Sequence, residues 1–135
     1  MKIELSEIEY RRLLDIVYIG NWILNSTRSS DRIEDYDNLQ SKMFSYCAEL
    51  GMREIYQKID TEFFPSAAFE NGGIHEAIAD YEDTIFFEIL AEELTKRDMA
   101  KEGFSPENFN ELSRRVDEYI EEFEKNGMEN LTLNK

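Results

Sequence analysis

The chain has 135 residues and a net charge of −15, from 15 lysine and arginine residues and 30 aspartate and glutamate residues. This charge excludes nucleic acid as a partner and disfavours anionic membrane surfaces, because both require positive charge on the protein. The length predicts a single helical domain over residues 1–135, large enough to bury a core of its own.

Cysteine usage and hydropathy predict a cytoplasmic protein without a membrane span. Cys47 is the single cysteine, so we expect neither an internal disulfide nor a zinc site built on cysteine pairs. The first ten residues have no apolar signal region. The longest apolar stretch, residues 13–24, is interrupted by polar residues and would span only about 18 Å as a helix.

The N-terminal quarter predicts a strand followed by a helix. Residues 2–5 alternate between polar and apolar, with Ile3 and Leu5 on one side. Ser6 and Glu9 form a capping box, which begins a helix that ends near Asn25. Nine apolar side chains between residues 13 and 24 surround this helix on nearly every side. We therefore expect it to be either the central helix of the fold or a homodimer interface.

The next segment predicts a second helix and a long aromatic connection. A helix from residue 31 or 33 to residue 50 carries one apolar stripe, on which Cys47 is expected to be buried. Gly51 suits the end of that helix. A short helix is expected near residues 53–58, and a connection follows over residues 61–73 that contains Phe63, Phe64 and Phe69.

The second half predicts two more helices and a terminal strand. Helical pattern resumes near residue 74, with a break expected around residues 80–83, and runs to about residue 101. Ser105, Pro106 and Glu107 predict a new helix start, and Gly127 a stop near Asn126. Alternation over residues 130–134 places Leu131 and Leu133 on one side. The predicted fold is all-α, a bundle of four to five helices, with the N- and C-terminal segments paired as two short strands.

Acidic residues dominate one segment of the chain. Residues 59–95 contain ten acidic side chains and no lysine or arginine. This asymmetry predicts a surface that binds a basic protein partner, although solubility alone would account for the same pattern. The predicted partner-binding residues are the acids near the Gly72–Gly73 break and the aromatic pair before it: Glu76, Asp80, Glu82, Asp83, Glu88, Phe63 and Phe64.

Other chemistry has weaker support in the sequence. Glu88 with Glu92, and Glu118 with Glu121 or Glu122, share helix faces, which suggests a metal-dependent hydrolase as the alternative function. The lone histidine, His75, fits no metal-binding motif and is expected to cap a helix or lie at the surface. We assign no catalytic residue, metal ligand or cofactor. The sequence favours a non-catalytic protein-interaction module of the inhibitor, immunity-type or adaptor kind.

Overall fold

The computed structural model describes residues 1–134 and confirms the predicted all-α fold. The chain divides into two compact units, Met1–Ile78 and the residues from Ala79 onward. The predicted single domain is untested by this division and stays a prediction. None of the described helices is long and apolar enough to cross a membrane. The elements, in chain order, are α1 (Glu7–Asn25), α2 (Glu34–Glu49), β1 (Tyr56–Ile59), β2 (Glu62–Pro65), a single turn α3 (Ala67–Phe69), a kinked π-helical turn (Glu70–Ile74), α4 (His75–Glu102) and α5 (Phe109–Asn126).

Helix α1 begins at the predicted capping box. The Ser6 hydroxyl accepts from the Glu9 N–H at 3.1 Å, and the Glu9 carboxylate accepts from the Ser6 N–H at 2.7 Å. Its buried residues recur every three or four positions and form one stripe: Tyr10, Leu14, Tyr18, Asn21 and Asn25. On the opposite side, Ile8, Ile16 and Ile23 are exposed. The prediction of a central helix buried on every side is therefore wrong, and the homodimer alternative stays a prediction.

The buried stripe of α1 is held by specific hydrogen bonds as well as by apolar packing. The Tyr10 hydroxyl donates to the Met43 carbonyl at 2.5 Å and lies 3.3 Å from the Cys47 sulfur. Cys47 is fully buried, as predicted. Burial raises the pKa of both the Tyr10 hydroxyl and the Cys47 thiol, so both groups stay protonated near neutral pH.

His75 packs against α1. Its Nε2 atom lies 2.7 Å from the Tyr18 hydroxyl, and its ring meets the Trp22 ring edge-on at 4.8 Å between centroids. Burial, with a smaller contribution from Glu70, raises the pKa of Tyr18 to about 12. His75 does begin α4, but its ring is half-buried against aromatic side chains rather than free at the surface. The preceding bend uses Gly73, whose φ of 108° favours glycine.

Asn25 joins the end of α1 to the start of α2. The side-chain NH₂ group of Asn25 donates to the Asn21 side chain at 2.7 Å and to the Ile33 carbonyl at 3.2 Å. Its side-chain oxygen accepts from the Ile33 N–H at 2.8 Å. Ile33 precedes α2 and offers no side-chain cap. The fully buried Asn25 therefore supplies the polar contacts that fix the loop between the two helices.

A β-hairpin replaces the short helix predicted near residues 53–58, so that prediction is wrong. Strands β1 and β2 pair antiparallel, with Lys58 opposite Phe63 and Ile59 opposite Glu62. Asp60 makes the turn with a φ of 55°, which aspartate tolerates better than most residues. Cross-strand aromatic contacts, and a bond from the Phe63 N–H to the Ser41 hydroxyl at 2.9 Å, favour strands over helix here.

The predicted pairing of the two terminal segments is also wrong. Within residues 1–134, neither residues 1–6 nor residues 131–134 form a strand, and the sheet consists of β1 and β2 alone. Ile3 and Leu133 remain largely exposed. The Leu131 N–H instead bonds to the Met128 carbonyl at 3.0 Å, in a local turn that needs no distant partner.

The second unit contains α4 from Ala79 onward and α5, and two predicted boundaries of these helices are wrong. Helix α4 continues through residues 80–83, where the Thr84 hydroxyl donates to the Asp80 carbonyl at 3.0 Å. Helix α5 begins after Asn108, whose side chain accepts from the Glu111 N–H at 3.3 Å. Ser105 belongs to a turn that precedes this cap, since the Asn108 N–H bonds to its carbonyl.

The second unit contains both a contact between α4 and α5 and a buried hydroxyl without a hydrogen-bond partner. Phe87 and Phe123 meet at 5.4 Å between ring centroids, and the Tyr119 hydroxyl donates to Asp98. Thr95 lies fully buried in α4, and its hydroxyl has no hydrogen-bond partner. Such a group loses its hydration on folding without recovering a bond, so it weakens the second unit.

Asn25→Ala should lower the free energy of unfolding by about 2–4 kcal/mol, because it removes three hydrogen bonds and leaves partly buried backbone groups of Ile33 without these partners. Chemical denaturation measures the change. Asn38→Ala, at an exposed position of α2, is the control and should stay within about 0.5 kcal/mol of wild type. Equal effects of the two substitutions would contradict the role of Asn25.

Thr95→Val should raise the free energy of unfolding of the second unit by about 1 kcal/mol, because a methyl group replaces the unpaired hydroxyl at nearly the same volume. Hydrogen exchange of the amides in α4 and α5 reports the change. Thr84→Val, at an exposed position, should produce no such gain. A loss of stability in Thr95→Val would show that the hydroxyl is bonded after all.

Candidate functional site

The predicted acidic residues are all exposed on α4. Asp80, Glu82, Asp83 and Glu88 lie in the second unit, and Glu76 lies in the first turn of the helix, within the first unit. In the part of the chain that the structure describes, none of the five forms an ion pair with a lysine or arginine. Their negative charge therefore faces solvent without a compensating cation.

Two of these acids line a groove between α4 and α5. The groove has a volume of about 400 Å³, and its apolar floor consists of Phe87, Ile120 and Phe123. Its rim carries three carboxylates and one hydroxyl, from Asp83, Glu88, Glu124 and Thr84, and its lining contains no lysine or arginine. We call it the acid-rimmed groove. It presents an apolar surface surrounded by negative charge, which suits an apolar side chain flanked by cations.

Helical periodicity explains how both helices contribute acidic and apolar groups to this groove. On α4, Asp83 and Phe87 are four residues apart, and Glu88 follows Phe87 directly. On α5, Glu124 likewise follows Phe123, with Ile120 one turn earlier. Residues three or four apart share a helix face, so each helix presents apolar side chains with acids beside them.

The two arginines of α5 are bonded to other acids. Arg114 binds Glu111 at 2.7 Å and Glu118 at 2.5 Å. Arg115 binds Glu111 at 2.7 Å and also Glu102. These contacts, with Arg114 the larger influence, hold the pKa of the Glu111 carboxyl below its usual value. Neither arginine lines the acid-rimmed groove, whose carboxylates therefore lack the neutralisation found elsewhere on the same helix.

The sequence identified only part of this groove. Asp83 and Glu88 were predicted as partner-binding residues, and the structure brings them to one rim. Asp80 and Glu82 lie outside the lining. Glu124 and the three apolar floor residues were missed, because nothing in the sequence shows which face of α5 meets α4. An acid directly follows an apolar residue at Phe87–Glu88 and again at Phe123–Glu124, and this shared pattern is a signal that could have indicated them.

Phe63 and Phe64 lie on β2 in the first unit and are half-buried. The Phe63 ring packs near Tyr56, at 5.8 Å between centroids, and the Lys58 ammonium lies 5.4 Å from its centre. Both phenylalanines line a second groove of about 510 Å³, which also contains Arg32. Their role in partner binding is untested by these contacts and stays a prediction.

Two of the carboxylates considered for a metal-dependent hydrolase, Glu118 and Glu122 on α5, are bonded to other side chains. Glu118 pairs with Arg114, and Glu122 accepts from Asn130 at 2.7 Å and from Asn126 at 3.1 Å. The bonds from Asn130 and then Asn126 hold the pKa of Glu122 below its usual value. Among residues 1–134, no three histidine, cysteine or acidic side chains come close enough together to hold a metal ion.

Comparison of the chain with protein-family models, curated proteins and solved structures finds no match. Its function is therefore inferred from the geometry and charge described above.

Asp37→Asn should make the free energy of unfolding of the first unit fall less steeply as the pH is lowered. The Arg32 guanidinium, which bonds to Asp37 at 2.8 Å, is the main cause that lowers the pKa of that carboxyl in the folded chain. The pair therefore adds stability above the unfolded value of about 3.9 and loses it as the pH falls through the folded value.

Denaturation of the wild type and of Asp37→Asn between about pH 7 and pH 2 measures this difference. The variant should be less stable near neutral pH and should converge with the wild type in acid. Asp35→Asn, at an exposed position of the same helix, should follow the wild-type curve. A constant difference between wild type and Asp37→Asn at every pH would contradict the assignment.

Proposed function

We propose that this chain is a non-catalytic protein-interaction module, of the inhibitor, immunity-type or adaptor kind, that binds a basic partner through the acid-rimmed groove. The observation that supports the proposal most strongly is the composition of the groove. Three carboxylates surround an apolar floor of Phe87, Ile120 and Phe123, with no cation in the lining. A surface of this kind offers an apolar anchor point and a preference for positive charge together.

The apolar floor supplies binding energy that exposed charges alone do not provide. Binding energy at protein interfaces is concentrated in a few side chains that enter water-excluding pockets, whereas exposed charges at the rim contribute little affinity. Of the three floor residues, Phe123 is 7% exposed, and Phe87 and Ile120 are half-buried. An apolar side chain of the partner can pack against the exposed parts of Phe87 and Ile120.

The carboxylates at the rim favour a partner with positive charge. Asp83, Glu88 and Glu124 repel one another in the free chain, and a lysine or arginine placed beside them relieves that repulsion. Asp80 and Glu82, exposed on α4 outside the groove, extend the negative field and should raise the association rate. Glu76, Phe63 and Phe64 remain predicted contributors, and the test below does not depend on them.

A helical peptide of lysine and leucine residues, fluorescently labelled, is a suitable probe. Replacing Asp83, Glu88 and Glu124 together by Asn, Gln and Gln should weaken its binding about tenfold or more, because the groove loses its charge and keeps its floor. Fluorescence anisotropy gives the affinity. Binding to the wild type should weaken as salt rises, since the Debye length falls from about 10 Å at 0.1 M to about 3 Å at 1 M.

The matched control neutralises three other exposed acids of the second unit, Asp117, Glu121 and Glu129, by the same chemistry. This control should keep nearly all of the wild-type affinity. Equal losses in both triple variants would show general attraction between a polyanion and a polycation and would overturn the assignment of the groove. A lysine peptide without leucine should bind more weakly than the probe, because it has no side chain for the floor.

A further inference from the structure

The exposed side of α1 carries an isoleucine face, defined by Ile8, Ile16 and Ile23. These side chains are 75%, 67% and 66% exposed, and they lie opposite the buried stripe of the helix. They recur at roughly two-turn intervals, so the face extends about 22 Å along the helix. Three exposed isoleucines on one side of a helix offer apolar surface that a partner can cover.

Charge indicates which partner fits this face. Residues 1–30 contain four cations and four anions, so the entire net charge of −15 resides in residues 31–135. Arg11 and Arg12 both bind Asp15, so the middle of α1 carries no excess negative charge. A basic partner gains little here, whereas a second copy of this strongly acidic chain meets the least repulsion at its neutral segment.

Gly20 adds an independent observation. It lies in the interior of α1, where glycine weakens a helix relative to alanine. A Cβ atom built on Gly20 meets nothing within 4 Å, so no contact within the chain requires glycine at this position. Close approach of another backbone is a common reason for a glycine in such a place.

We propose that two copies of this chain associate through the isoleucine faces of their α1 helices, packed antiparallel. With the two-fold axis between Asp15 and Ile16, Ile8 of one copy lies opposite Ile23 of the other, at both ends of the contact. Arg12 then lies opposite the partner's Ile19, where its methylene groups cover apolar surface. This interaction goes beyond the proposed function, because it uses a different surface of the chain.

Sedimentation equilibrium of the full chain tests the proposal. We expect a monomer–dimer equilibrium that strengthens between about 0.1 M and about 1 M salt, because salt screens the repulsion between two copies that each carry −15. This salt dependence is opposite in sign to that of the basic peptide at the acid-rimmed groove. Success or failure of one proposal is therefore distinguishable from success or failure of the other.

Ile16→Glu should weaken the dimer about tenfold or more, because it places a charge at the centre of the contact. Ile89→Glu is the matched control, since Ile89 is a 51% exposed isoleucine in another helix and the change in net charge is the same. This control should leave the dimer constant unchanged. Ile16→Glu should bind the labelled peptide as tightly as the wild type does.

Gly20→Leu should also weaken the dimer, although the single chain has open space there, and circular dichroism should show that the helix is retained. A chain that is monomeric at every concentration and salt would overturn the proposal. Equal weakening by Ile16→Glu and Ile89→Glu would overturn it as well, and so would a Gly20→Leu variant that dimerises as strongly as the wild type.

Discussion

The hydrogen bonds made by the buried face of α1 determine how the first unit is built. Tyr10 bonds to the backbone of α2, Tyr18 to His75, and Asn25 to the residue that precedes α2. A buried polar group is costly unless it finds its partner, so rotation of α1 about its axis would break these bonds together. This constraint, rather than hydrophobicity alone, decides that the tyrosines and asparagines face inward and the isoleucines outward.

The two kinds of surface have different charge and suit different partners. The isoleucine face belongs to a neutral segment. The buried stripe on the opposite side of α1 holds this helix in place through its hydrogen bonds and packing. The acid-rimmed groove has three carboxylates and no lysine or arginine in its lining, and its apolar floor is assembled from two helices. Because the first surface is neutral and the second strongly negative, salt discriminates between the interactions that they support.

Local signals in the sequence predicted helix positions better than helix faces. The capping box of Ser6 and Glu9 located the start of α1, and the Asn126–Gly127 pair located the end of α5. The apolar pattern of α1 did not predict which side of the helix is buried. Tyrosine and asparagine side chains can be buried as completely as isoleucine when they form hydrogen bonds. Both Ser105 and Asn108 are residues that can cap the start of α5. The observed cap is Asn108, and Ser105 forms a separate turn before it.

Features that depend on distant residues were the least predictable. The hairpin of β1 and β2 is too short for its alternation to stand out, and its contact with Ser41 lies outside the segment itself. The acidic run predicted Asp83 and Glu88, but Glu124 joins them only because α5 folds back along α4. Opposing helices must be paired before such a site exists, and no periodicity along one helix specifies that pairing.

The orientation of α1 is the central claim, and methyl relaxation by a soluble paramagnetic agent tests it most directly. In a dilute, low-salt sample shown to be monomeric, the methyl groups of Ile8, Ile16 and Ile23 should relax strongly. Those of Ile78, which is 8% exposed in the core, should be largely protected. Protection of Ile16 and Ile23 equal to that of Ile78 would contradict the orientation of α1 and the isoleucine face derived from it.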